Sequence, residues 1–507
     1  GINSHNQIVS FTMISFAVVY VIKTIFLIII AWFVADYSQG LSANISNKIF
    51  NYYISQPYIE SVNSNTAHLQ RNVTNEVQIF TGFVNNTLYL ITELAIAVSI
   101  VITLIIIEPK GAMLIMVLLI FFSILIYYSM KNYIFKLGND RLIFDKKRFF
   151  TLVESLNGYK EVKLFNKEAF FTKKFSERNF SYYSVMKKIQ VIGQLPRLLF
   201  EVIAIICFVF FIIFSVYSGK DLTNLIAVLS VFLLAAFRLL PSFNRILVNI
   251  QAIKYGSVSI DFLYDELNKT NITNTKSLIK FDLKKPIIVN NVFFKYPNTK
   301  NYVLENINVE IPFGSFIGII GESGSGKSTF IDNLLGFLSP SSGKITVDNI
   351  DIHKHPSSWM QYIGYVPQTI FLSDTSLRNN IAFGIENNDI DDDKIFNALK
   401  GAELLDFIES LSDGINTIVG EKGAKISGGQ RQRIGIARAL YYNPDILIFD
   451  EGTSSLDTKT ENNIINSVLK FKNNKTIIMI AHRHTTLIKC ERILDFNNAS
   501  LTIKENV

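Results

Sequence analysis

Cysteine is almost absent from this chain. Two residues, Cys207 and Cys490, stand among 507, so no disulfide framework and no zinc spacing can be drawn. Cys207 lies in the apolar run Ile205-Ile206-Cys207-Phe208 and reads as a small, inert hydrophobe. The six histidines form no ligand cluster. His353 and His355 sit two apart and read as a loop or strand face rather than a metal site. Charge is sparse, at 18% of residues. The chain does not begin with Met, and Gly1 runs almost directly into apolar sequence. With no basic n-region or cleavage site, no signal peptide is visible. The net charge of +7 and the pI near 9.0 could suggest nucleic acid. The placement of the cations argues against it, because Lys and Arg crowd the loops between apolar runs.

What the chain has in excess is apolar surface. It is 49% hydrophobic, with 41 Phe and a mean hydropathy of +0.29. The excess lies before residue 250, in runs of membrane-spanning length. Five spans are predicted, at 8–35, 87–107, 112–130, 198–217 and 222–240. Glu108-Pro109-Lys110-Gly111 and Ser218-Gly219-Lys220-Asp221 read as tight turns between paired spans. The long polar segments 36–86 and 131–197 cannot be irregular chain in lipid, and their patterning is mostly helical. Segment 131–197 holds fifteen Lys and Arg against six acids, which assigns it to the cytoplasm. Residues after the fifth span then face the cytoplasm too, and Gly1 lies outside. An earlier, sixth span is expected beyond this sequence.

Few charges interrupt the spans. Lys23 lies in the first, and Arg238 and Arg245 stand seven apart, two turns along one helix face. Arg197 and Glu201 stand at the mouth of the fourth. Snorkelling or internal pairing is one reading of these cations. The other is a water-filled cavity for an anionic head such as a phosphate or diphosphate.

Residues 269–285 are polar and read as a linker. From Pro286 the pattern alternates strands and helices, an α/β domain. Its centre is Gly321-Glu322-Ser323-Gly324-Ser325-Gly326-Lys327-Ser328-Thr329, between a strand-like and a helix-like run. This is a P-loop in the required context: backbone N–H groups cradle a triphosphate, Lys327 reaches its β/γ-phosphates and the Ser328 hydroxyl ligates Mg²⁺. ATP and Mg²⁺ are therefore the expected nucleotide and metal. Ile446-Leu447-Ile448-Phe449-Asp450-Glu451 reads as a buried parallel strand ending in two acids at the nucleotide crevice. Asp450 would hold Mg²⁺ through water, and Glu451 would deprotonate the attacking water. Ser427-Gly428-Gly429-Gln430 before a helical run makes a second anion site. Tyr296 could stack on adenine, Gln368 offers a carbonyl to Mg²⁺ or water, and His482 could hydrogen-bond the γ-phosphate.

With these residues assembled, the second half resembles the nucleotide-binding domain of ATP-binding cassette (ABC) transporters over residues 286–507. Tyr296 resembles the A-loop aromatic, Gly321–Thr329 the Walker A, Gln368 the Q-loop, and Val419-Gly420-Glu421 the X-loop of exporters. Ser427–Gln430 is similar to the signature, Asp450 to the Walker B acid, Glu451 to the catalytic glutamate, Asp457 to the D-loop residue and His482 to the switch histidine. Ile426 and Gly452 depart from the usual Leu and Ala, and neither removes a reacting group. Residues 1–268 resemble the exporter membrane domain. Leu69-Gln70-Arg71 with Glu76, and the run from Gly158 to Glu168, are similar to its two intracellular loops. The resemblance implies an all-α transmembrane domain (first helix missing) ahead of an α/β P-loop domain, coupling segments near 57–61 and 166–170, and a homodimer with two composite ATP sites. Leu195-Pro196-Arg197 with Glu201, and Phe237 through Arg245, look like bacterial lipid-linked oligosaccharide flippases of the PglK type. That likeness implies that Lys23, Arg197, Arg238 and Arg245 line a cavity for a lipid diphosphate in the inner membrane. An exporter of lipid A precursor, peptide or drug is the alternative.

Overall fold

A computed structural model describes the chain except residues 1, 64, 108, 218–221, 270–278, 298, 421–422, 424, 453–456, 471–473, 481–486 and 506–507. Within its helices, the side chains of 2–6, 63, 107, 109–112, 114–115, 207–208, 211–212, 214–217, 222–238 and 458 are also outside the description. The chain divides into two compact units, residues 1–56 with 60–273, and residues 57–59 with 274–507.

The first unit is helical: α1 (Ile2–Ser55), α2 (Tyr58–Asn63, which begins in the other unit), α3 (Thr66–Arg71), α4 (Val77–Ile107), α5 (Pro109–Asn157), α6 (Tyr159–Leu164), α7 (Glu168–Tyr217) and α8 (Leu222–Lys269). A π-helical stretch, Asn72–Glu76, links α3 to α4. Four of the described helices are long and apolar enough to cross a membrane. The fifth predicted span, 222–240, lies in α8, mostly where side chains are not described. All five long helices run well past hydrocarbon thickness at 1.5 Å per residue. The helical form is forced, because only helices or closed barrels satisfy every backbone group in lipid. Pro196 and Pro241 sit inside α7 and α8, where each removes one backbone donor.

Polar groups, not only apolar ones, tie these helices together. Glu76 is fully buried at the end of the π-helical stretch. Its carboxylate takes both terminal nitrogens of Arg141 on α5, at 2.8 and 3.2 Å. It also accepts from Arg71 at 3.2 Å and from the Ser259 hydroxyl of α8 at 2.8 Å. Arg71 donates to Asn72, whose amide donates to the Tyr53 hydroxyl of α1 at 2.9 Å. The insertion of a π turn is what aims Glu76 inward at two arginines, a geometry often found at functional positions.

The second unit is α/β. Its elements are β1 (Ile287–Phe294), β2 (Leu304–Ile311), β3 (Phe316–Gly321), α9 (Lys327–Leu335), β4 (Ser342–Val347), β5 (Ile350–Asp351), α10 (Pro356–Met360), β6 (Ile363–Val366), α11 (Leu377–Ile381), α12 (Asp392–Gly401), α13 (Leu405–Glu409), α14 (Gly428–Tyr441), β7 (Ile446–Asp450), α15 (Thr458–Leu469), β8 (Thr476–Ile480), β9 (Arg492–Asn497) and β10 (Ser500–Glu505). A four-stranded antiparallel sheet has the order β2-β1-β4-β5. The main sheet has the order β10-β9-β3-β8-β7-β6, parallel except for the β9–β10 hairpin.

The period of two in these strands sorts side chains onto two cores. Ile446, Ile448, Ile478 and Ile480 point to the core shared with α9 and the smaller sheet. Leu447, Phe449, Ile477 and Met479 point to the core shared with α11, α12, α14 and α15. Ile59 packs on the first of these cores, and the Tyr58 ring stacks on Phe337 at 4.8 Å. Apolar residues on both faces make β7 and β8 uninterrupted hydrophobic runs.

Removing one partner from the Glu76 cluster leaves two buried cations uncompensated, at a cost of about 3–5 kcal/mol. Glu76→Ala is expected to lower the thermal inactivation midpoint of the purified chain sharply. Glu168→Ala, which breaks an exposed pair with Lys163, should leave it within a degree or two, as surface pairs contribute about 0–1 kcal/mol.

Candidate active site

β3 ends at the middle of the main sheet, and the chain turns there into α9. That turn needs glycine. Gly321 has φ +146°, and a Cβ on it would lie 2.3 Å from the Phe496 carbonyl oxygen and 2.7 Å from Ser325 Oγ. Gly324 and Gly326 also have positive φ. The loop closes with Ser325 N–H donating to the Glu322 carbonyl, and α9 begins with Phe330 N–H donating to Gly326. Lys327 is buried, and its Nζ donates to the Gly321 and Glu322 carbonyls at 2.8 and 2.7 Å. Ser323 and Ser328 are exposed at the rim, and Thr329 Oγ1 lies 3.2 Å from the Tyr296 hydroxyl. The Tyr296 ring meets Phe294 edge-on.

Two strand ends complete the site. Asp450 closes β7, and the next residue, Glu451, has φ +51°. Gly452 follows, and a Cβ there would lie 2.7 Å from Val366 Cγ1, so the departure from Ala matches a close approach of backbone to β6. Gln368 donates its amide to Glu451 Oε2 at 2.7 Å, and Tyr365 donates its hydroxyl to Asp450 Oδ2 at 3.3 Å. Burial pushes the Asp450 carboxyl up and Glu451 adds to this, while the Tyr365 hydrogen bond and Lys327 oppose it. Asp332 of α9 was not singled out from sequence. Burial and the charge of Asp450 push its carboxyl up from 3.8 to about 6.

The remaining candidates lie apart along the chain. Ser427 caps α14 and accepts from Gln430 N–H at 3.2 Å, while Gln430 Oε1 accepts from Ser427 N–H at 3.0 Å. This capping box leaves the first N–H groups of α14, at Gly428 and Gly429, at an exposed helix start. Asp457 caps α15 by accepting from Thr460 N–H at 2.9 Å, which holds its carboxyl below the usual range. His482 and Glu421 lie outside the described residues.

The donor set suits Mg²⁺. Hydroxyl, carboxylate and amide oxygens are hard ligands, and Asp450 stands between the charges of Glu451 and Lys327. Ser325 Oγ is buried inside the cradle with no hydrogen-bond partner among the described residues. Among the described residues no group of three His, Cys, Asp or Glu could hold a metal alone.

Arg197, Arg245 and Lys23 each have a neighbour in the structure. Arg197 pairs with Glu201 on α7 at 3.0 Å, and Arg245 of α8 pairs with Glu93 of α4 at 3.0 Å. Glu93 is buried, and its Oε2 has no hydrogen-bond partner among the described residues. Lys23 is exposed on α1 with Nζ 5.0 Å from the Tyr20 ring centre. The side chain of Arg238 lies outside the described residues.

Two family models match this chain. The ABC transporter transmembrane region matches residues 2–239 and the ABC transporter model matches residues 304–454, together well over half its length. The chain belongs to the ABC transporter family. It joins a helical transmembrane domain to an ABC ATPase domain, the exporter arrangement, and is a multi-pass membrane protein. It is 34% identical over 399 residues to the leukotoxin export ATP-binding protein LtxB of Aggregatibacter actinomycetemcomitans, covering 74% of this chain and 56% of that one. It is 41% identical over 238 residues to the leukotoxin translocation ATP-binding protein LktB of Mannheimia haemolytica, covering 47% and 33%. A sophorolipid transporter of Starmerella bombicola is 35% identical over 295 residues, covering 55% and 22%. The chain thus spans about half, or less, of the curated relatives it matches. A solved bacterial Atm1-family ABC exporter with ATP bound shares the fold, with TM-score 0.80 and 23% identity over 93% of this chain and 83% of that one.

An acid whose folded pKa is raised weakens the fold once ionised. For Asp332 the penalty is absent below about pH 4, grows through pH 6 and is complete above it. Discounted for remaining solvent exposure, it is on the order of 1–2 kcal/mol. Asp332→Asn is therefore expected to raise the thermal midpoint of the nucleotide-free chain at pH 8, with the gain shrinking toward zero at pH 4.

Proposed function

We propose that this chain pairs with a second copy to form an exporter of the bacterial inner membrane, driven by ATP hydrolysis. The observation that carries this reading is the convergence of Lys327, Asp450, Glu451 and Gln368 on the P-loop turn. ATP would lie with its phosphates against the N–H groups of 322–329, Lys327 exchanging its loop carbonyls for phosphate oxygens. Tyr296 would face the adenine. Glu451 would accept the proton of the attacking water, with Gln368 orienting both. Ser328, Asp450 and Gln368 would hold Mg²⁺, which when bound neutralises charge on the β- and γ-phosphates. His482 would add a hydrogen bond to the γ-phosphate. Each ATP would be closed by Ser427, Gly428, Gly429 and Gln430 of the partner's signature, with Asp457 beside it. Contacts made only with the γ-phosphate favour the closed pair, and their loss on hydrolysis reopens it.

For cargo, the likeness around Arg197, Arg238 and Arg245 supports a lipid-linked oligosaccharide whose diphosphate meets these cations. A second reading, export of a different cargo, is favoured by one observation: Arg197 and Arg245 each already carry a carboxylate partner. The relatives named for leukotoxin and sophorolipid fit that second reading.

In proteoliposomes with a labelled polyprenyl-diphosphate glycan, ATP-dependent translocation is expected, and Glu451→Gln should abolish it while ATP binding persists. Turnover is expected to fall at least a hundredfold in that variant. Hydrolysis stimulated by lipid A precursor or peptide, with the glycan left in place, would decide for the other cargo. Arg238→Ala should reduce glycan flipping more than basal hydrolysis, and equal loss of both would count against a cavity role.

A further inference from the structure

Strands β6 and β7 run parallel, with Tyr365 opposite Ile448. The period of two then carries Tyr365, Ile448 and Asp450 to the same face, the one covered by α9. The Tyr365 ring packs on that core, while its hydroxyl reaches past it to Asp450 Oδ2 at 3.3 Å. No other donor to the Asp450 side chain is recorded among the described residues. We propose that Tyr365 is a positioning residue for Asp450: its hydroxyl holds one carboxylate oxygen at the strand end so that the other is kept for the water shell of Mg²⁺ bound with ATP.

Asp450 needs such a hold. It ends a strand, and two like charges stand beside it. Glu451 follows in sequence and Asp332 faces it from α9. Repulsion from both works against one fixed carboxylate pose. A neutral donor holds the rotamer without adding a charge that would compete with the metal. A phenol suits this because its ordinary pKa, about 10, leaves it a neutral donor at working pH. A lysine or arginine there would instead neutralise Asp450 and weaken its attraction for the metal.

The test replaces one oxygen. In Tyr365→Phe the ring remains packed on its core, so the fold should persist. The full chain, purified in lipid nanodiscs, is titrated with Mn²⁺ in the presence of a non-hydrolysable ATP analogue, and bound Mn²⁺ is read by electron paramagnetic resonance. Analogue affinity is measured separately in EDTA, and the thermal midpoint is recorded. The expected result is a threefold to tenfold weaker Mn²⁺ affinity, with metal-free analogue affinity within twofold of the parent chain and the midpoint unchanged. The Mg²⁺ concentration for half-maximal hydrolysis should rise by a similar factor. An unchanged Mn²⁺ affinity would overturn the proposal. So would a parallel fall in metal-free affinity and thermal midpoint, or a variant that fails to fold, since each assigns the hydroxyl to packing.

Discussion

Asp450 is crowded by like charge, with Glu451 beside it and Asp332 within its field, and the buried Lys327 is the cation that opposes them; that imbalance governs the nucleotide-binding unit. Asp450 and Glu451 arrive together because β7 ends there, and Asp332 comes from the helix that the P-loop begins. Lys327 is buried on its own loop's carbonyls, which leaves the acids with less than their own charge to face. Burial raises the cost of each uncompensated charge, so the site is built for a cation. The main sheet supplies the rigidity that lets these groups stay close. Its central strands β3, β7 and β8 are apolar on both faces, so their ends cannot drift without opening a core.

The geometry needed at this turn explains the glycines where they stand. A side chain at Gly321 would run into the backbone of β9, and one at Gly452 would meet Val366 of β6. Glu451 itself takes a left-handed backbone between them. An uncommon conformation of this kind in a non-glycine residue is held only where surrounding packing determines it. Here the adjoining strand and the Gln368 amide do so.

Sequence reasoning reaches the P-loop, the buried strands and the two acids because each rests on local spacing. A G-x-x-x-x-G-K-S run and an apolar strand ending in Asp-Glu need no knowledge of distant residues. The helical and α/β halves are legible for the same reason, since hydropathy and strand–helix alternation are local signals. What spacing does not reach are partners brought together by tertiary packing. Asp332 looks like an ordinary polar position on α9, although five residues past Lys327 it falls on the sheet-facing side. Tyr365 looks like a strand aromatic until β6 is registered against β7. Glu93 and Arg245 are 152 positions apart in the chain, so their ion pair is invisible in either segment alone. In the membrane unit the same lesson applies to Glu76, whose inward aim depends on a π turn that no period-3.6 pattern announces. Of the two readings the sequence left open for these cations, internal pairing is what Arg197 and Arg245 show, and the polar groups that join α4, α5 and α8 are buried.

The proposal that ATP is clamped between two identical chains is tested most directly by mixing two inactive ones. Lys327→Ala removes the P-loop cation, and Ser427→Arg blocks the signature. Each chain alone should be inactive. In mixed pairs one site combines both defects, while the other joins the intact P-loop of one chain to the intact signature of its partner. The account predicts that ATP hydrolysis returns when the two variants are co-assembled and isolated by separate tags. Mixed pairs as inactive as either variant alone would contradict it, because that outcome is expected if each nucleotide is held wholly within one chain.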